Sequence, residues 1–135
     1  MIDKEIIKIA SNTENHGVLD NHTHSSKLKN AICGDEIKVY LIIEDNKILD
    51  FKYECESCIY CQASVSLLSK NAKNKSIEKV KKFTKQAINI FEKNMQSFDD
   101  EWNEFNKIIK KNNISRKECV LLPFKTVAKA LNYKL

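Results

Sequence analysis

The chain has 135 residues, 42% of them hydrophobic and 30% charged, which is ordinary for a single globular domain with one core. Its net charge of +5 is not read as a nucleic-acid footprint. All but one of the 23 basic residues are lysine, spread among Glu, Asp and Asn rather than gathered into a patch of arginine forks. No apolar run approaches the length needed to cross a bilayer, and the opening Met1-Ile2-Asp3-Lys4-Glu5 does not resemble a secretory signal, so a cytoplasmic protein is expected.

Taken in chain order, Ile2, Ile6, Ile9 and Ala10 recur at helical spacing and predict a short N-terminal helix. Residues 11–31, rich in Asn, Ser, Thr and His, read as a flexible, irregular loop. Alternation then begins: Ile37, Val39, Leu41 and Ile43 share one face, the polar Glu44–Lys47 makes a turn, and Leu49, Phe51 and Tyr53 resume the pattern. Two such runs across a turn predict an antiparallel hairpin.

The period becomes helical over residues 59–72. Ser76 is a suitable N-cap for a further helix whose stripe is Ile77, Val80, Phe83, Ala87 and Phe91. Ser97 and Asp100 suggest a capping box opening a helix with Phe98, Trp102, Phe105 and Ile109, ended by Asn112-Asn113. Asp99, Asp100 and Glu101 are read as first-turn charges of that helix rather than catalytic carboxylates. A C-terminal helix carries Leu122, Val127, Ala128 and Leu131, with Pro123 in its first turn. The expected fold is α+β: a small antiparallel β-sheet packed against several helices, one domain over residues 1–135.

Five cysteines in a chain without an export signal suggest metal ligands, reactive groups or small buried residues rather than disulfides. Cys33, followed by Gly34 and Asp35, precedes the first strand of the hairpin, and Cys58 follows the second. Antiparallel pairing brings those two ends together. Cys119 lies just before the C-terminal helix, where the positive helix end favours a thiolate. Three thiolates and one carboxylate suit tetrahedral zinc or iron, or the anchoring of a two-iron cluster.

The run Cys55-x-x-Cys58-x-x-Cys61 has a second reading, since its spacing also occurs in four-iron ferredoxin ligation with a fourth cysteine supplied from elsewhere. The plainer reading makes Cys55 an inward strand residue and Cys61 a small residue of the helix. His22 and His24 could share a metal but are read as solvated loop residues.

Three segments carry a resemblance. Cys33-Gly34-Asp35 with Glu36–Leu41, then Ile48–Glu54 leading to Cys58 and Ala63-Ser64-Val65-Ser66, then Arg116–Lys125 around Cys119, resemble in order the three cysteine regions of the IscU/SufU/NifU N-terminal family. The resemblance implies an iron–sulfur cluster assembly scaffold with Cys33, Asp35, Cys58 and Cys119 as metal ligands and Cys33 or Cys119 as sulfur acceptor. It implies a transient iron–sulfur cluster, of the 2Fe-2S kind, or zinc as the bound species. The implied partners are a cysteine desulfurase and apo iron–sulfur proteins or other assembly factors, and the implied state is a monomer or weak homodimer. The long interval from Cys58 to Cys119 is similar to SufU, which implies as the alternative a zinc-bearing sulfurtransferase partner accepting persulfide sulfur. Glu118 stands where the family has histidine or lysine before the third cysteine.

Overall fold

A computed structural model describes residues 4–31, 34–93 and 100–133. Helix α1 spans Lys4–Ala10, strand β1 His24–Lys29, β2 Glu36–Glu44 and β3 Lys47–Glu56. Helix α2 covers Ile59–Ala72, α3 Ile77–Lys93 and α4 Lys117–Ala130, with 3₁₀ segments at Asp100–Lys107 and Lys111–Arg116 between the last two. The three strands form one antiparallel sheet in the order β1-β2-β3. Helices α2 and α4 pack against its inner face and each other, as the expected α+β architecture requires.

The hairpin turns at Asp45 and Asn46, both with positive φ, the pairing of conformations that matches the right-handed twist of the flanking strands. Asn and Asp tolerate that region better than other side chains that carry a Cβ. The alternation holds in β2 and in most of β3: Ile37, Val39, Leu41, Phe51 and Tyr53 are buried. Leu49 departs from it. Asp50 pairs with Ile42 while Ile48 pairs with Ile43, so Leu49 is an extra residue in a β-bulge. The bulge turns Leu49 out to solvent and puts Ile48 into the core in its place.

Two further expectations need correction. Residues 24–29, assigned to the irregular loop, form an edge strand whose alternating pattern is too polar to read as one. The preceding Asn-rich stretch is tied down by hydrogen bonds: Asn15 Nδ2 donates to Ser69 Oγ at 3.1 Å, Lys73 Nζ to Asn15 Oδ1 at 2.6 Å, and Ser66 Oγ to the Asn12 carbonyl at 2.8 Å.

The predicted third helix is instead 3₁₀. Trp102 and Phe105, three residues apart, are both buried, and non-helical angles at Trp102 (φ −120°, ψ 17°) kink the segment there. Phe83 of α3 stacks on Trp102 with ring centroids 4.0 Å apart and meets Phe105 and Phe124 edge-on. This aromatic cluster fastens α3 and the 3₁₀ segment to α4. Ser97, Phe98 and Asp99, and with them the proposed capping box, lie outside the described residues. Ser76 does cap α3, its Oγ accepting the Lys79 N–H at 3.1 Å.

Candidate metal centre

Pairing of Glu36 with Glu56 brings the start of β2 beside the end of β3. Asp35 therefore sits against the chain as it leaves the sheet and enters α2. Gly34 precedes it at φ +78°, in the left-handed region that glycine enters without strain. The Asn30 N–H donates to the Asp35 carbonyl at 2.7 Å and closes the turn between β1 and β2.

Cys58 is the N-cap of α2, with extended backbone angles and no capping hydrogen bond from its side chain. Its own N–H donates to Asp35 Oδ1 at 3.1 Å, which fixes the carboxylate beside the thiol. Asp35 Oδ2, by contrast, is buried and has no hydrogen-bond partner. A buried carboxylate oxygen left unsatisfied is costly, and a cation is the partner its chemistry calls for.

The third donor comes from α4. That helix starts at Lys117, so Cys119 lies inside its first turn and not before it. Pro123 is correspondingly interior and buried, and has no N–H to offer the carbonyl four residues back. The apolar run from Val120 to Phe124 packs on all sides, and that packing carries the helix through a residue that sequence rules place at a helix start.

Small residues let α2 and α4 approach: Ala63 and Ser64 are fully buried between them, and Ser64 Oγ donates to the Val120 carbonyl at 2.6 Å. At the ends of the same helices the Arg116 guanidinium lies 5.5 Å from the centre of the Tyr60 ring. Sequence reasoning gave Arg116 no role beyond its motif, although it is the only arginine in the chain.

The result is a convergent group. A carboxylate oxygen of Asp35 and the sulfurs of Cys58 and Cys119 all lie within 4.8 Å of one another. Thiolates sharing a tetrahedral zinc stand about 3.8 Å apart, given Zn–S bonds of about 2.3 Å, so small side-chain adjustments bring these donors onto one ion. Asp35 and Cys119 are buried, while Cys58 is half-buried and leaves one side accessible. Both thiols lie at helix N-terminal ends, whose partial positive charge favours anionic sulfur. Glu118 points away into an ion pair with Lys125 at 2.9 Å.

Among the described residues, this group of donors contains neither Cys55 nor Cys61. Cys55 is half-buried on β3, paired with Ile37, and Cys61 is fully buried in α2, as the plainer reading expected. His22 and His24 do not join the donor group either. His22 Nδ1 is hydrogen-bonded to the Leu19 carbonyl at 2.6 Å, and His24 Nδ1 to Thr23 Oγ1 at 2.8 Å. Cys33 lies outside the described residues.

Fold and site together define a small α+β domain with a carboxylate–thiolate centre where one hairpin end meets two helix N-termini. The chain belongs to the family of NifU-like N-terminal domains, whose model matches residues 1–105 and so includes Asp35 and Cys58. It is 30% identical over 133 residues to an iron-sulfur cluster assembly scaffold protein IscU of Thermotoga maritima, covering 97% of this chain and 92% of that one. Over 91 residues it is 33% identical to a zinc-dependent sulfurtransferase SufU of Bacillus subtilis, covering 66% of this chain and 58% of that protein. The crystal structure of a putative iron-sulfur cluster assembly scaffold for the SUF system of Fervidobacterium islandicum superposes with a TM-score of 0.87 at 28% identity, covering 96% of both chains. A NifU-like protein from Brucella abortus gives a TM-score of 0.88 at 22% identity, over 96% of this chain and 91% of that one, a likeness of fold.

Proposed function

We propose that the protein is an iron–sulfur cluster assembly scaffold whose cargo is held by Cys33, Asp35, Cys58 and Cys119. The observation that carries this reading is the convergence of Asp35, Cys58 and Cys119 around a carboxylate oxygen with no partner of its own. Cys33, two residues before Asp35, completes a set of four protein donors, the number that a two-iron cluster takes up. The similarity to the Thermotoga scaffold along almost the whole chain supports the same assignment.

The chemistry of the donors explains why cargo would be held yet released. Thiolates bind iron firmly, whereas a carboxylate is a harder and weaker partner for it. One oxygen among three sulfurs leaves a point at which the cluster can be opened. Sulfur would come from a cysteine desulfurase. A thiolate of this chain (Cys33 or Cys119) attacks the outer sulfur of the enzyme's persulfide, the enzyme's S–S bond breaks, and its cysteine leaves as a thiolate. Clusters would pass to apo iron–sulfur proteins or other assembly factors. Such chemistry needs a reducing compartment, in keeping with a cytoplasmic protein.

A second reading is favoured by the similarity to the Bacillus protein: zinc resides in the same donor set, and the chain carries persulfide sulfur from the desulfurase. Zinc would supply a redox-inert clamp that holds the thiols until the desulfurase docks. Anaerobic incubation with cysteine desulfurase, cysteine, ferrous iron and a dithiol reductant separates the two. Visible absorption with matching iron and sulfide, followed by activation of an apo-ferredoxin, is the result expected of a scaffold. One retained zinc, no chromophore and faster desulfurase turnover would overturn that reading in favour of the carrier.

A further inference from the structure

Among the described residues, Cys61 is the one fully buried thiol that the donor group leaves unused. It lies three residues after Cys58 along the same helix, and Cys58 is that helix's N-cap. The Gln62 N–H donates to the Cys58 carbonyl at 3.0 Å, closing the first turn of α2 directly over Cys61. An N-cap residue in the extended conformation turns its side chain back toward the residues two and three positions on, where a capping oxygen would meet their N–H groups. The Cys58 side chain makes no capping hydrogen bond, so its sulfur, which lies within 4.8 Å of the Asp35 oxygen and the Cys119 sulfur, is not committed to the turn. Positions three apart across a helical turn have Cα separations inside the range of about 4.4–6.8 Å that a disulfide spans. One thiol is half-buried and reachable, and the other is enclosed behind it.

We infer that Cys58 and Cys61 form a reversible intramolecular disulfide that competes with metal for Cys58. The inference rests on the reading of Cys58 as a metal ligand and adds a control to that site. A small-molecule disulfide is the oxidant. The Cys58 thiolate attacks one of its sulfurs, forms a mixed disulfide and releases one small thiolate. Cys61 then attacks the Cys58 sulfur and expels the second small thiolate, which takes up the proton that Cys61 gives up. Two protein thiols become one disulfide, and the small disulfide becomes two thiols. With its sulfur tied to Cys61, Cys58 no longer donates to metal. A bound metal in turn occupies the sulfur that must attack. Cys55, at the end of β3, also neighbours Cys61, and peptide mapping separates a Cys55–Cys61 bridge from the Cys58–Cys61 bridge.

The test uses the full chain, reduced, stripped with a chelator and equilibrated with oxidised and reduced glutathione, then trapped by alkylation and peptide-mapped. A Cys58–Cys61 disulfide is expected, reversed by excess reduced dithiothreitol, retained in Cys55→Ser and absent from Cys61→Ser, which still binds zinc. Zinc added first is expected to slow oxidation about tenfold or more, in proportion to the small fraction of empty site. Normal zinc binding with no disulfide, or with one joining other cysteines, would overturn the inference and leave the proposed function intact. A Cys58–Cys61 disulfide that zinc does not retard would overturn the competition and show that Cys58 is not a ligand. Wild-type mapping decides the pairing even if Cys61→Ser folds poorly.

Discussion

Asp35 holds two opposite states in one side chain. Oδ1 accepts the Cys58 N–H, and Oδ2 is buried with nothing to accept. An unsatisfied buried polar group costs about 1–3 kcal/mol, so the metal-free protein carries a local destabilisation that a cation relieves. Asp35→Asn keeps an oxygen for the Cys58 N–H but removes the charge. It is expected to stabilise the metal-free protein by about 1 kcal/mol in urea unfolding while weakening zinc binding about tenfold or more. Loss of stability together with unchanged affinity would mean that Asp35 serves the fold alone. Ser57 Oγ is also buried without a hydrogen bond of ordinary geometry, and its polar neighbours are the thiols of Cys55 and Cys61.

Single elements differ in how plainly the sequence announced them. The β2–β3 hairpin, α2 and the Ser76 cap of α3 were legible because period and cap chemistry are local properties. Leu49 was not, because a bulge depends on how two strands register, and alternation along one strand carries no trace of it. Strand β1 escaped notice because its Ser, Lys and His residues pair at a sheet edge while burying little apolar surface. Part of the donor site was readable from spacing, since antiparallel pairing alone puts Asp35 beside Cys58. The place of Cys119 within the first turn of α4 was hidden by Pro123, whose burial overrides its usual position. At this scale Ser76→Ala is expected to cost about 1 kcal/mol, measured by chemical denaturation, with the metal site untouched. Asn46→Val, which forces a branched side chain into positive φ, is expected to cost at least as much, about 1–2 kcal/mol. A neutral result for Asn46→Val would place the turn in another conformation.

For the whole molecule, burial makes protonated groups part of the core. Burial pushes the Tyr53 hydroxyl up to about 12 and drives the Cys61 thiol well above its ordinary value of 9.0. In the unfolded chain these groups ionise near their usual values, so above pH 9 the folded state retains protons that the unfolded state loses. Stability from this source is complete below about pH 8.5 and falls as pH rises toward the folded-state values. Thermal unfolding of the metal-free protein is therefore expected to shift steadily downward from pH 9 to 11, less steeply in Cys61→Ser. A flat profile would mean that the two groups are exposed to solvent. No helix among the described residues is long and apolar enough to cross a membrane, and the core closes around α2 and α4 with the donor group at one end.

The central claim is the ligand set, and X-ray absorption at the zinc edge of the zinc-loaded protein tests it most directly. Three sulfur scatterers at about 2.3 Å and one oxygen at about 2.0–2.2 Å are the expected shell, with one sulfur lost in Cys58→Ser. Four sulfurs, or a spectrum that Cys58→Ser leaves unchanged, would contradict the assignment of Asp35, Cys58 and Cys119.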